Sequence, residues 1–221
     1  MSPFAIWLDT VFASFDYSIL EFWHTVAQST GAVMTPAMKL ISLTGESGIG
    51  MILLGLALVL FKKTRKAGFC VLGAVICGAI ITNVTLKPLI ARARPYDSEL
   101  YPIFRQWWAD VGSETVSDLS FPSGHATATT AAMAGLSLIS GKKYLGICIP
   151  YVVLMCASRN YLMVHYPSDV IAGVIAGTVG AVAAFFITKL IFKLLENHAS
   201  RKFSAFILDF DITNLFRSKK Q

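Results

Sequence analysis

Charge is scarce in this chain: only 14% of its 221 residues are Asp, Glu, Lys or Arg, where soluble domains carry roughly a quarter. That shortage excludes an ordinary soluble domain, and 55% hydrophobic residues with a mean hydropathy of +0.62 point to a membrane protein. Acidic residues are the scarcer sign, 13 against 19 Lys and Arg, for a formal net charge of +6. The basic excess gathers at the ends of apolar segments and forms no aromatic-interleaved stripe, so no nucleic-acid partner is expected. Orienting the chain and meeting anionic headgroups are the plainer uses of that charge. The four cysteines, Cys70, Cys77, Cys148 and Cys156, lie in apolar stretches without CxxC or metal-type spacing, which excludes a disulfide framework or thiolate metal site. No repeat or low-complexity stretch is present, so a solenoid is excluded. The first residues, MSPFAIWLD, lack a basic n-region and an uninterrupted apolar core; no cleavable signal peptide is expected.

What is present is apolar helical periodicity. Residues 4 to 26 place Phe4, Trp7, Leu8, Val11, Phe12, Phe15, Ile19, Trp23 and Val26 at three- and four-residue steps, opposite Asp9, Ser14, Asp16, Glu21 and Thr25. This predicts one or two amphipathic helices, either lying in the interface or packed on the bundle. Five candidate spans follow, near residues 47–61, 67–86, 124–141, 144–161 and 170–192. Small residues recur in them, including Gly73, Gly78, Ala128, Ala131, Ala132, Gly135 and a GxxxG at Gly173 and Gly177, which suits close helix packing. The expected fold is all-α: an integral-membrane helical bundle of about five transmembrane helices plus an interfacial amphipathic N-terminal region. Its expected organisation is an N-terminal region over 1–46, a transmembrane core over 47–193 and a cytoplasmic tail over 194–221.

Orientation follows from the connecting segments. Lys62, Lys63, Arg65 and Lys66 join the first two spans, Lys142 and Lys143 join the third and fourth, and Arg201, Lys202, Arg217, Lys219 and Lys220 sit in the tail. The positive-inside rule puts these in the cytoplasm, and five crossings leave the N-terminus outside. The outer face then holds residues 1–46, with Lys39 as their single basic residue, and a loop of about residues 88–122 carrying Asp97, Glu99, Asp110, Glu114 and Asp118.

Ionisable groups at membrane depth are costly and call for an explanation. Three sets stand out: Lys87 with Arg94-Pro95 in LKPLIARARP, Pro122-Ser123-Gly124-His125, and Ser158-Arg159 followed by His165 and Asp169. The topology sends all three to the outer face, where cations, histidines, a carboxylate and a helix N-terminus make an anion site. Singly, His165 reads as a structural histidine, Lys87 and Arg94 as snorkelling cations and Ser123 as a helix cap. Arg92 reads as headgroup or surface charge, His24 and His198 as structural or solvated. Trp107 and Trp108 either dip into the interface or anchor their loop.

The ordered pattern K-x6-R-P, P-S-G-H, S-R-x5-H-x3-D resembles the signature of the type 2 phosphatidic acid phosphatase family, matched at every fixed position between residues 87 and 169. The resemblance implies a lipid phosphatase in which Lys87, Arg94 and Arg159 neutralise the phosphoryl oxygens, with Ser123 and the Gly124 backbone N–H completing the cradle. It further implies that the histidine at 165 attacks phosphorus, Asp169 orients its ring, and His125 protonates the leaving alkoxide and then assists water. Neither metal nor cofactor is expected, since fixed cations stabilise the charge. The short form is similar to bacterial members acting on undecaprenyl diphosphate or phosphatidylglycerophosphate, which implies a lipid phosphate or diphosphate substrate in the cell membrane. Two rivals share the cradle: a vanadate-dependent haloperoxidase, and a non-catalytic headgroup-binding or lipid-transport protein.

Overall fold

The computed structural model describes residues 2–217, and among the described residues there are helices and turns but no strand. Lys219 and Lys220 of the tail lie outside the described residues. In chain order the helices are α1 (Pro3–Val11), α2 (Ala13–Thr44), α3 (Ile49–Val59), α4 (Arg65–Ala79), α5 (Lys87–Ile90), α6 (Ile103–Asp110), α7 (Gly124–Ser140), α8 (Leu145–Tyr161), α9 (Pro167–Asn197), α10 (Lys202–Asp209) and α11 (Ile212–Arg217). The five apolar runs correspond to α3, α4, α7, α8 and α9, and a π-helical segment, Ile80–Leu86, carries α4 on into α5.

Three helical runs, Ala13–Val59, Arg65–Asp97 and Pro167–Asn197, are long and apolar enough to cross a membrane. Large apolar side chains cover the outward faces: Ile76, Ile80, Ile147, Val153, Ile175, Val179, Phe186 and Leu190 are all exposed. A soluble monomer rarely shows so much contiguous apolar surface, whereas lipid solvates it readily.

Inside, α4, α7 and α9 meet through small residues, with Cys70, Ala74, Ala131, Ala181 and Ala184 in one cluster. The GxxxG glycines are the tightest points. A Cβ on Gly173 would lie 2.7 Å from the Ser123 carbonyl oxygen, and one on Gly177 would lie 2.5 Å from that of Thr127. Contact this close presses the first turn of α9 against the start of α7, where the Ser123 N–H donates to the Asp169 carbonyl at 3.0 Å. The packing glycines thereby set the spacing of the two motif-bearing helix N-termini.

The N-terminal helices pack on the bundle. Along α8, Thr35 Oγ1 pairs with the Tyr161 hydroxyl at 2.7 Å and Thr44 Oγ1 with that of Tyr151 at 2.6 Å. Ser47 and Gly48, both at positive φ, break the chain between α2 and α3. Trp107 is buried against Tyr17, Phe104 and a stacked His24, while Trp108 stacks on Tyr96 and donates its Nε1–H to the Glu114 carbonyl at 2.8 Å. Both tryptophans therefore anchor their loop and neither dips outward. At the other end Arg65 is no free loop cation: it is buried, donating to the carbonyls of Val59, Ile207, Leu208 and Phe210, and so pins the tail under the α3–α4 turn.

Candidate active site

The segment after α5, the N-terminus of α7 and the loop between α8 and α9 come together at one end of the bundle. Lys87, Arg94, Gly124, His125 and His165 line one cavity of about 300 Å³, which continues along Val75, Ala79 and Asn83 and is bordered by the Gly45–Gly48 turn. Ser123, Arg159 and Asp169 lie behind that wall, fully buried. Ser123 caps α7, its Oγ accepting from the Ala126 N–H at 3.5 Å, so the first free N–H groups of that helix face the charged end.

His165 sits between a cation and a carboxylate. Its Nε2 lies 3.3 Å from Arg94 Nη1, and its Nδ1 lies 3.6 Å from Asp169 Oδ2 and 3.4 Å from Ser120 Oγ. With the Asp169 carboxylate facing Nδ1 the proton belongs there, and the unprotonated Nε2 accepts from Arg94 Nη1. Burial, then the positive charges of Arg94, Arg159 and Lys87, holds the imidazole well below its usual pKa, so it is neutral at pH 7. Asn160 Nδ2 donates to the His165 carbonyl at 3.0 Å and steadies the loop.

Three cations surround this ring. Arg94 donates from Nη1 to the Val164 carbonyl at 2.6 Å and from Nε to the Asp118 carbonyl at 2.8 Å. Both Lys87 and Arg94 also pair with the Asp118 carboxylate, and Lys87 donates to the Leu119 carbonyl at 2.9 Å. Burial would raise the Asp118 pKa, but hydrogen bonds and charge from Lys87 and Arg94 outweigh it and hold the carboxyl below the usual range. Arg159 Nη1 donates to Glu114 at 3.0 Å and to Ser42, while its Nε and Nη2 are buried without a partner. Buried unpaired donors cost about 1–3 kcal/mol each, a cost an anion reaching them would remove. His125 Nε2 is likewise without a hydrogen bond, with Glu46 at 3.5 Å.

The sequence does not disclose everything in this region. Arg92, expected at the surface, is buried to 1% exposure: Nε donates to Asp9 at 2.8 Å, Nη2 to Asp16 at 2.9 Å, and Nη1 to Asp169 at 2.6 Å and to Ser168 Oγ at 2.8 Å. The reason is electrostatic: three carboxylates outcompete headgroups for the guanidinium once the fold brings them within reach. Asp9 and Asp16 are seven residues apart on the polar face of the amphipathic pattern, which is the one sequence hint that they point the same way. Asp118, Glu114 and Ser120 are ordinary loop residues with no signal of their own.

An anion seated among Lys87, Arg94 and the α7 N-terminus would have His165 and His125 beside it, two imidazoles in one cavity wall. Among the described residues no group of three or more His, Cys, Asp and Glu side chains is placed to hold a metal ion.

Comparison with known proteins finds relatives named as phosphatases. The model of the PAP2 superfamily matches residues 67–193. The decaprenylphosphoryl-5-phosphoribose phosphatase of Mycobacterium tuberculosis is 37% identical over 167 residues, covering 71% of this chain and 85% of that protein. The undecaprenyl-diphosphatase of Sulfolobus acidocaldarius is 28% identical over 159 residues, covering 72% and 73%. The lipid A 4'-phosphatase of Porphyromonas gingivalis is 28% identical over 135 residues, covering 59% and 55%. No solved structure matches the chain at comparable significance.

Proposed function

Because the chain belongs to the PAP2 superfamily and is a membrane lipid phosphatase of that family, we propose that it removes a terminal phosphate from a polyprenyl-linked envelope lipid through a phosphohistidine. Undecaprenyl diphosphate and prenyl-phosphoryl sugar phosphates are the favoured substrate classes, with phosphatidylglycerophosphate as the alternative. The observation that carries this reading is His165 in the cavity wall, with Arg94 at its Nε2 and Asp169 toward its Nδ1. The cavity also runs from the cations to Val75 and Ala79, so a headgroup at the charged end leaves its first chain carbons against apolar wall.

In the proposed reaction His165 Nε2 attacks phosphorus as the bond to the lipid oxygen breaks. His125 gives that oxygen a proton, and Asp169 stabilises the positive charge on the ring. Water then attacks phosphorus and the P–N bond breaks. His125 takes the proton from water, and inorganic phosphate leaves. Lys87, Arg94 and the Gly124 N–H hold the equatorial oxygens throughout, the unpartnered nitrogens of buried Arg159 join them once the anion is seated, and Ser123 fixes the helix start. The fixed cations supply the charge stabilisation, without a metal. We place the cavity at the non-cytoplasmic face, with residues 1–46 on that side and 194–221 in the cytoplasm, on the basic-loop asymmetry.

Phosphate release from undecaprenyl diphosphate, phosphatidylglycerophosphate, phosphatidate and a lipid A phosphate, compared by kcat/KM, tests the substrate class. Activity is expected to survive EDTA, to be inhibited by vanadate and to vanish in folded His165→Ala protein; strict Mg²⁺ dependence or unchanged turnover in that variant would overturn the mechanism.

A further inference from the structure

We propose that Arg92 is a positioning residue for phosphoryl transfer: it fixes the Asp169 carboxylate against His165 and is itself fixed by Asp9 and Asp16. The two N-terminal helices, outside the family-matched residues 67–193, thereby become part of the catalytic machinery. The proposal rests on the roles given above to His165 and Asp169.

The two oxygens of Asp169 have different partners. Oδ1 accepts from Arg92 Nη1 at 2.6 Å, while Oδ2 accepts from Ser120 Oγ at 2.5 Å and the Tyr166 N–H at 3.0 Å and faces His165 Nδ1. A carboxylate turns about its Cβ–Cγ bond, so the grip of Arg92 on Oδ1 acts together with the Ser120 and Tyr166 bonds to set where Oδ2 points. Losing that grip also leaves a fully buried carboxylate without its cation.

Arg92 can do this because its own plane is set from every side. Each of its three nitrogens meets a different acid, and its flat face lies 3.9 Å over the Tyr166 ring. Lysine offers neither the fork nor the plane. Asp16 also binds the first turn of α9 directly, accepting from the Ser168 N–H at 2.8 Å and its hydroxyl at 2.6 Å. Helix α2 thus holds both the arginine and the turn that carries Asp169.

The surplus of acid has a further consequence. Paired with Asp169 alone, Arg92 would cancel most of the carboxylate's field at His165. Shared among three carboxylates, it orients Asp169 while leaving negative potential for the ring when it becomes cationic.

A cluster that merely glued the N-terminal helices to the bundle would lower stability and activity whatever stood at position 169, and a double-mutant cycle separates the two cases. Full-length protein in detergent is assayed for phosphate release from farnesyl diphosphate, with folding checked by thermal unfolding. Arg92→Gln is expected to lower kcat about 30-fold with KM within about twofold, yet to lower the residual kcat of Asp169→Asn by less than about twofold. An equal loss in both backgrounds overturns the proposal, as does a rise in KM with kcat kept. If Arg92→Gln does not fold, Asp16→Asn serves: a kcat loss of about 3–10-fold that vanishes beside Asp169→Asn supports the coupling, and unchanged kcat overturns it. Failure of the underlying mechanism would look different, since full activity in Asp169→Asn or His165→Ala alone would show it.

Discussion

Arg94 and Arg92 are two residues apart and grip opposite sides of the His165–Asp169 pair, and the regions they belong to differ in how their charges are matched. On the cavity side Lys87 and Arg94 meet Asp118 and Arg159 meets Glu114, loop acids whose side chains are 51% and 25% exposed. Behind the ring one guanidinium meets three carboxylates no more than 10% exposed, borne by α1, α2 and α9. The first set of partners is replaceable and the second is not. Asp118 bridges Lys87 and Arg94 where a phosphoryl group would bridge them, and a half-exposed side chain gives way to a dianion more readily than a helix-borne acid gives up its only cation.

The sharpest way to break that contrast is Arg94→Ala. If the cavity side is the phosphate grip, kcat/KM falls about 10³-fold, roughly 4 kcal/mol, with a large share in KM. An unchanged KM would move the grip elsewhere.

Next in size is acid sensitivity. The folded pKa of His165 lies below its unfolded value of about 6.5, so below that pH the unfolded chain takes up a proton that the folded one does not. Stability is therefore full above about pH 6.5 and is lost as pH falls, by up to about 1.4 kcal/mol per unit until the folded pKa is reached. Thermal unfolding in detergent between pH 8 and 5.5 should show this slope, and His165→Gln should make it shallower. Vanadate, by neutralising the surrounding cations, should flatten it too.

Asp118→Asn separates replaceable from fixed partners more gently: removing a competing anion should lower the KM for lipid phosphate about threefold and leave kcat alone. A raised KM would show instead that Asp118 holds the cations in their working positions. Smallest of all, Arg105→Ala deletes an exposed pair with Asp97 at 3.5 Å and should shift stability by less than about 0.5 kcal/mol, with no change in either kinetic constant.

The apolar runs were legible because burial in lipid imposes composition on every residue of a span: the run near 124–141 became Gly124–Ser140, and that near 144–161 became Leu145–Tyr161. The cap of α7 was legible for the same local reason, since Ser123 acts on its own first turn. The fixed spacings in the three motifs, with the count of crossings, were enough to indicate that Lys87, Arg94, His125 and His165 should share one end, and these four line one cavity. The partners of those residues were not legible. Arg92 finds Asp9, Asp16 and Asp169 at separations of 76 to 83 residues along the chain, and Arg159 finds Glu114 at 45.

By itself, then, the sequence determined that the chain is a helical membrane phosphatase and singled out eight residues as a candidate site, because hydropathy, capping and motif spacing are properties of short stretches. Only the tertiary structure decided that Arg92 turns inward while Arg94 faces the cavity. It also decided that the N-terminal helices reach the Asp169 carboxylate through Arg92. Ion pairing depends on distance in space, and for these residues that distance is set by the close approach of α9 to α7 at Gly173 and Gly177 and by the docking of α2 on the bundle.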